Sequence, residues 1–328
     1  MAGSWKHEKR ACMFDAKFYD TLTRLQLQVF HKSSLIMSGS RKSVQKGTSA
    51  EFSDFREYMP GDDLRRMDWN VYARLDKLYI REYMEEKEAV VSVLVDTSAS
   101  MDYGERSKEQ LAKELAAVIG FLALNNMDRL MLWDAGNMGR SVSVRGGRNA
   151  FTKVLRWLEG LTFSGEADIL SAAAKIQFRG PGVTVIISDF LHPDMLEKKV
   201  DTKKMDNKKA GTQGSSPRKE ERPVMGYERL LGFLRFCRQR PVILHTLAAE
   251  ELRVTLTGAL NLIDSETGSQ LRLTVDAKAL ESYLTQLNGL TERMKAGCRA
   301  AGGAYVLCDT GRDFRQLVFQ DLRVIYDI

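Results

Sequence analysis

Continuous apolar runs rich in Val, Ile and Leu recur along the chain at Val90–Val95, Arg129–Trp133, Val183–Ile187, Val242–Leu247 and Ala304–Leu307. Runs without polar alternation suit strands covered on both faces, as in a parallel sheet. Between them the apolar period lengthens to that of a helix. Residues 107–126 put Leu111, Leu115, Val118, Ile119 and Leu122 on one face, and residues 149–161 repeat the pattern with Phe151, Val154, Leu155 and Leu158. Further helices are predicted at Ile169–Phe178 and Tyr227–Arg238. The clearest spans Ala277–Ala301, with Leu280, Tyr283, Leu284, Leu287, Leu290 and Met294 at helical spacing. Strands alternating with helices predict an α/β fold built on a doubly wound, mostly parallel sheet. The short alternation at Ser141–Val144 predicts an antiparallel edge strand.

Two regions break this rhythm. An N-terminal helical segment, residues 1–38, leads with a helix over Asp15–Phe30, and residues 39–88 follow as short mixed segments. Residues 249–276 alternate apolar and polar positions around Asp264–Ser269, which reads as small, half-exposed β-hairpins. The expectation is a β-rich subdomain made of 39–88 with 249–276, beside an α/β core of 89–248 completed by a last helix and strand in 277–328. No internal repeat is evident.

Composition narrows the class. With 328 residues, 44% of them hydrophobic and 28% charged, the chain reads as an ordinary globular protein. No apolar run approaches the roughly 18–20 residues that cross a bilayer, and no apolar block follows the charged N-terminus, so a cytoplasmic place is expected. Cys12, Cys237, Cys298 and Cys308 form no C-x-x-C pair and no spaced cluster with histidines, which argues against zinc and against a disulfide framework. The net charge of +6 is local. Residues 198–223 hold nine Lys or Arg against four Asp or Glu, a local +5 that leaves +1 for the rest. That insert, poor in large apolar residues, is expected to be disordered, and the nearly neutral remainder lacks the broad basic footprint of a nucleic-acid binder. The tetrad at Arg145–Arg148 reads as a loop before a helix.

The candidate chemistry lies at strand ends. The run 90–100, VVSVLVDTSAS, delivers Asp96, Ser98 and Ser100 into one short loop, and VTVIISDF delivers Asp189 at the same end of another strand. In open α/β sheets, ligands gather where such loops converge. All four side chains offer hard oxygens, which suit Mg²⁺ or Ca²⁺. Asp and Ser also cap loops and helices, which is the plainer reading of Asp96 and Ser98.

A second dense motif occupies residues 39–85. It runs Arg56, Tyr58, Pro60, Gly61, Asp62, Asp63, then Arg65, Asp68, Trp69 and Arg74. Alternating Arg and Asp can build charge-assisted hydrogen bonds, and Pro60-Gly61 forms a turn whose backbone Asp62 can bond. The favoured reading is a staple between subdomain and sheet; the other is a partner contact.

The D-x-S-x-S spacing at a strand end resembles the metal site of the von Willebrand factor A domain, whose late Asp corresponds to Asp189. The Thr of that pattern has Ala167 in its place, in Gly165-Glu166-Ala167-Asp168. The resemblance implies a Mg²⁺ site one hydroxyl short, to be filled by water or by Asp168, or else a weaker site. An ion held largely by neutral hydroxyls keeps its charge and accepts a partner's carboxylate, which makes an adhesive junction. A hydrolytic site would need a positioned base, and His192, beside Pro193, reads as a loop residue.

The pattern G-x-S-x-E-F-x-D-x-R-x-Y-x-P-G-D-D-x-R-x-x-D-W-x-x-Y-A-R, from Gly47 onward, resembles the bacterial domain of unknown function 58 family. The Ser188–Phe190 and Asp264–Gly268 stretches fit it as well. This resemblance implies an intracellular von Willebrand factor A-like adaptor, not an enzyme. It would act with a MoxR-type AAA+ ATPase in assembly or maturation of other proteins. The competing readings are a metal-dependent hydrolase, for which no Gly-rich phosphate loop or His-rich site is seen, and nucleic-acid binding through the Lys-rich insert.

Overall fold

The structure is a computed structural model that describes residues 16–27, 50–85, 89–146, 150–178, 180–196, 198–199 and 224–327. Cys12, the basic insert from residue 200 onward, positions 39–49 and residues 147–148 of the RGGR tetrad lie outside the described residues. The chain divides into two units, one of residues 31–88 and one combining 1–30 with 89–328.

In chain order, the larger unit begins with α1 (Ala16–Leu22) and β1 (Gln26–Leu27), and the smaller unit holds β2 (Ala50–Glu57), α2 (Trp69–Leu75) and β3 (Tyr79–Glu85). The larger unit resumes with β4 (Val90–Val95), α3 (Lys108–Asn125), β5 (Arg129–Asp134), β6 (Ser141–Val144), α4 (Phe151–Glu159), α5 (Ile169–Lys175) and β7 (Gly182–Ser188). Then come α6 (Pro193–Leu196), β8 (Lys198–Lys199), β9 (Val224–Met225), α7 (Gly226–Phe236), β10 (Gln239–Leu247) and α8 (Ala249–Leu252). The chain closes with β11 (Gly258–Ile263), β12 (Gln270–Val275), α9 (Ala277–Ala300), β13 (Ala304–Asp309), α10 (Phe314–Phe319) and β14 (Tyr326–Asp327).

A six-stranded sheet in the order β13-β10-β7-β4-β5-β6 forms the centre of the larger unit. Its neighbours pair in parallel, apart from β5 with β6. The uninterrupted apolar runs are explained by the two faces. Val91, Val93 and Val95 of β4, with Val183, Val185 and Ile187 of β7, join a core with α3, α4 and α10. Leu94, Ile186 and Ile243 point the other way, into a second core with α5, α7 and α9. The central strands β4, β7 and β10 thus bury both of their alternating sides. The fold is mixed α/β with a central, mostly parallel sheet.

This strand order fixes where loops diverge. From β4 the chain crosses to β5 on one side and later returns to β7 on the other. Loops leaving the carboxyl ends of β4 and β7 therefore part in opposite directions and open a crevice between them.

One expectation needs correction. The first helix stops at Leu22 rather than Phe30, and Gln26–Leu27 pair antiparallel with Tyr326–Asp327. The Thr21 and Thr23 hydroxyls bond back to the Lys17 and Asp20 carbonyls, the local competition that loosens helices at such residues. The hairpin β11–β12 and the pair β2–β3 are separate two-stranded sheets, and β11–β12 groups with the α/β unit. Among the described residues, no helix is long and apolar enough to cross a membrane. Cys237, Cys298 and Cys308 are free thiols, the last two buried.

Candidate functional site at the β4–β7 crevice

Asp96 follows the last residue of β4, and its N–H donates to the Ile187 carbonyl of β7. The carboxylate is buried at 3% exposure. Its Oδ1 accepts from the Ser98 N–H at 3.0 Å, and its Oδ2 accepts from the Ser188 hydroxyl at 2.5 Å. Burial, and after it the charge of Asp189, pushes the Asp96 pKa up to about 6 despite those hydrogen bonds. Two carboxylates on adjacent strand ends thus feel one another.

The turn after β7 is shaped to present Asp189. The Ser188 oxygen that donates to Asp96 also accepts the Phe190 N–H at 3.0 Å. Phe190 has φ +52°, an unusual value for a bulky residue, and its ring is buried edge-on to His245. A non-glycine residue held in that region costs roughly 1–2 kcal/mol, which surrounding packing must offset. The outcome is an Asp189 side chain directed back to the β4 loop.

Ser98 and Ser100 complete the oxygen cluster. Their hydroxyls lie 3.0 Å apart. The loop is fastened from a third strand: the Thr97 hydroxyl donates to Asp134 Oδ1 at 2.6 Å, at the end of β5. A fourth segment lies alongside, with Ala99 N–H donating to the Gly165 carbonyl and Ser164 N–H to the Thr97 carbonyl, both at 2.9 Å.

A buried lysine serves the second carboxylate. Lys108, the first residue of α3, is 1% exposed, and its Nζ donates to Asp189 Oδ2 and Glu251 Oε1, each at 2.8 Å. Burial disfavours the ammonium, but the charges of Asp189 and Glu251 outweigh it and hold the pKa above the usual lysine value. For Asp189, burial acts upward, and the charge and hydrogen bond of Lys108 reverse it, helped by the Leu191 N–H and Ser100. That carboxyl is held below its usual range. The pair therefore splits: the carboxyl of Asp189 is held below its usual range, while that of Asp96 is raised to about 6.

His245 underlies the site. It is fully buried on β10, with Nε2 2.7 Å from the Asp189 carbonyl and Nδ1 2.7 Å from the Tyr305 hydroxyl. Burial lowers its pKa to about 4. A carbonyl only accepts, so Nε2 carries the proton and Nδ1 accepts from the tyrosine, whose pKa burial raises. Both ring nitrogens are thereby committed.

Glu266 arrives from the tip of the β11–β12 hairpin. It is half-buried between exposed neighbours. Burial, reinforced by the charge of Asp189, raises its pKa.

The crevice thus brings together Asp96, Ser98, Ser100 and Asp189. Asp168 is engaged elsewhere: it caps α5, accepting the Ser171 N–H at 3.1 Å and the Ser171 hydroxyl. Ala167 is buried and offers no side-chain donor. Several participants were not singled out from the sequence. Lys108 carries a signal of its own, since a lysine in the first turn opposes the helix dipole. His245 was a polar interruption in an apolar strand, and Ser188 lay beside Asp189 at the end of the run VTVIISDF.

In the smaller unit the motif residues are spent on local structure. Arg56 meets both oxygens of Asp62 at 2.9 Å, and Asp62 accepts the Met59 N–H. Gly61 takes φ +101°, which the turn requires. Asp63 accepts the Arg65 N–H, and Asp68 caps α2 through the N–H groups of Asn70 and Val71. The Tyr58 N–H donates to the Leu78 carbonyl. Trp69 stacks edge-on to Tyr72 and is exposed, and Arg74 is exposed in the last turn of α2.

The oxygens of Asp96, Ser98, Ser100 and Asp189 are of the kind that holds Mg²⁺. Against that, Lys108 already neutralises Asp189. Among the described residues no group of three or more His, Cys, Asp or Glu side chains is arranged to hold a metal. Any ion here would depend on the two hydroxyls.

The sequence matches the family described as Protein of unknown function DUF58 over residues 54–227. Uncharacterized proteins of Mycobacterium tuberculosis and Mycobacterium bovis are each 34% identical over 188 residues, which is 55% of this chain and 59% of theirs. The chain thus matches about three fifths of the length of these relatives. A crystal structure of the conserved hypothetical protein BatB from Bacteroides thetaiotaomicron covers 72% of this chain and 98% of its own, at 11% identity and TM-score 0.37. An aerotolerance-related membrane protein from Bacteroides fragilis covers 72% and 99%, at 13% identity and TM-score 0.33.

Proposed function

This chain belongs to the family Protein of unknown function DUF58, and we propose that it is a non-enzymatic interaction module that grips an acidic side chain of a protein partner at the β4–β7 crevice. The observation that carries this reading is the Asp96, Ser98, Ser100 and Asp189 cluster at the sheet's switch point. Its polar groups are hydroxyls and carboxylates, and the nearby His245 is locked between a carbonyl and a tyrosine, which removes it as a base. In the von Willebrand factor A-like reading, Asp96, Ser98, Ser100 and Asp189 would hold Mg²⁺. A bound Mg²⁺ would supply an open coordination position to an incoming carboxylate. Lys108 keeps Asp189 ionised in place, and Ser188 orients Asp96.

The partner in this proposal is a MoxR-type AAA+ ATPase, in the cytoplasm, with assembly or maturation of other proteins as the shared task. The experiment is a pull-down of purified ATPase by the full chain, in Mg²⁺ and then in EDTA, beside Asp96→Ala. Capture lost in EDTA and in the variant is the expected result. Equal capture in all three would remove both the ion and the crevice from the mechanism.

A further inference from the structure

We propose that the free edge of β13 is a docking strand, where an extended, uncharged segment of a partner protein adds to the central sheet. This surface lies two strands along from β7 and is independent of the crevice.

β13 ends the sheet. It pairs with β10 on one side, and among the described residues no strand pairs with its other side. The Thr310 N–H donates to the Leu247 carbonyl of β10. Peptide groups alternate in direction along a strand, so those of Val306 and Cys308 turn to β10 with Thr310, and those of Tyr305 and Leu307 turn outward. Among the described residues no turn, cap or side chain bonds these outward groups. At Asp309 the open run ends, because its carbonyl accepts the Arg312 N–H at 3.1 Å. A donor and an acceptor repeating at every second residue are matched by another extended main chain.

Sheet edges are commonly guarded by Pro, Lys, a bulge or extreme shortness. The opposite edge follows that habit: β6 has four residues, and its Ser141 and Ser143 are exposed. β13 does not. Its six residues, AYVLCD, include no Pro and no Lys, and its register with β10 runs unbroken from Ala304 to Asp309.

The edge also lies in a groove whose lining states what it fits. A cavity of about 430 Å³ is bounded by Tyr305, Val306 and Leu307 of β13, by Thr291 and Lys295 of α9, and by Asp321. Its charges are satisfied from within. Arg312 pairs with Asp321 at 2.9 Å, Lys295 with Glu292 at 3.4 Å, and Arg253 with Asp309 at 2.9 Å. Each cation meets a carboxylate, so the complementary segment is itself uncharged, with apolar side chains to set against Tyr305 and Leu307. A second copy of the chain fits poorly. It would bring its own α9 and Asp321 beside its β13, and these walls would meet before the two main chains could pair.

The test uses the full chain and the blocked peptide acetyl-Thr-Val-Thr-Val-Thr-amide, followed by amide NMR and hydrogen exchange. The blank is the same peptide N-methylated at every residue, which keeps the side chains and removes the main-chain donors. Leu307→Pro deletes an outward N–H that the sheet does not use, a position where an edge strand tolerates Pro. Thr291→Trp fills the groove from α9 and leaves β13 untouched, so the test stands even where Leu307→Pro unfolds. The peptide should slow exchange at the Tyr305 and Leu307 amides, and its affinity should change little with salt. The methylated peptide, and each variant with the plain peptide, should bind at least about tenfold more weakly. Equal binding of the two peptides, binding of neither, or undiminished binding by Thr291→Trp would overturn the docking strand. A wild-type dimer in sedimentation that Thr291→Trp dissociates would seat a second copy at the edge and overturn the partner segment.

Discussion

The ammonium of Lys108 bridges Asp189 and Glu251, at 2.8 Å to each. Helix α3 thus starts with a buried positive charge, against its own dipole, because two carboxylates from other elements demand it. Breaking a buried pair by removing one partner costs roughly 3–5 kcal/mol, since the remaining charges lose their compensation. Lys108→Met should lower unfolding stability by about that amount in EDTA, measured by urea denaturation. It also leaves Asp189 free for a cation, so Mg²⁺ should stabilise the variant more than the wild type. An equal Mg²⁺ effect in both would mean that Lys108 and the ion do not compete.

His245 gives the pH dependence a definite sign. Its pKa is about 4 when folded against 6.5 as a free side chain. Between those values the unfolded chain takes up a proton that the folded chain refuses, so stability falls as pH drops through this window. The loss is on the order of 3 kcal/mol by pH 4. Asp96 acts oppositely: its pKa is raised to about 6, so its contribution is present at low pH and lost as pH rises through 6. The two partly cancel in the wild type. His245→Gln should therefore lose less stability than wild type between pH 7 and pH 4.5. Parallel losses would show that the imidazole is not held neutral.

Glycines around the loop separate close packing from backbone freedom. A Cβ on Gly136 would sit 2.6 Å from Thr97 Oγ1, which is itself fixed on Asp134. Gly165 has open space but φ +70°. Gly136→Ala should cost roughly 1–3 kcal/mol by overpacking and disturb the Ser98 and Ser100 amides in NMR spectra. Gly165→Ala should cost roughly 1–2 kcal/mol through backbone strain alone, with smaller shifts at those amides.

In the smaller unit, Asp68 caps α2 by accepting two N–H groups. Asp68→Ala should cost about 1 kcal/mol and speed amide exchange at Asn70 and Val71. Unchanged exchange would move the role of Asp68 away from capping.

The sheet was readable because strands buried on both faces have no alternation to hide them. Val90–Val95 and its counterparts announced themselves, and the single alternating stretch at 141–144 marked the antiparallel edge. Asp96 and Asp189 were readable as a pair because strand ends and chain order together define the crevice. What stayed hidden depended on contacts across long separations: Lys108 with Glu251, 143 residues apart, and Ser188 with Asp96, 92 apart. Asp168 caps α5 through the N–H and hydroxyl of Ser171, a role that an Asp before an apolar helix offers beside ligation. The first helix was overextended because periodicity alone does not see the threonines at its end, Thr21 and Thr23.

The central claim is that oxygens from the ends of β4 and β7 form one cation-dependent receptor for a carboxylate. Its most direct test is a Mn²⁺ titration of the full chain, followed by electron paramagnetic resonance, beside Asp96→Asn and Ser98→Ala/Ser100→Ala. One bound ion in the wild type, weakened by at least about tenfold in each variant, is the expected result. Equal Mn²⁺ binding in all three proteins, or none in the wild type, would contradict the account.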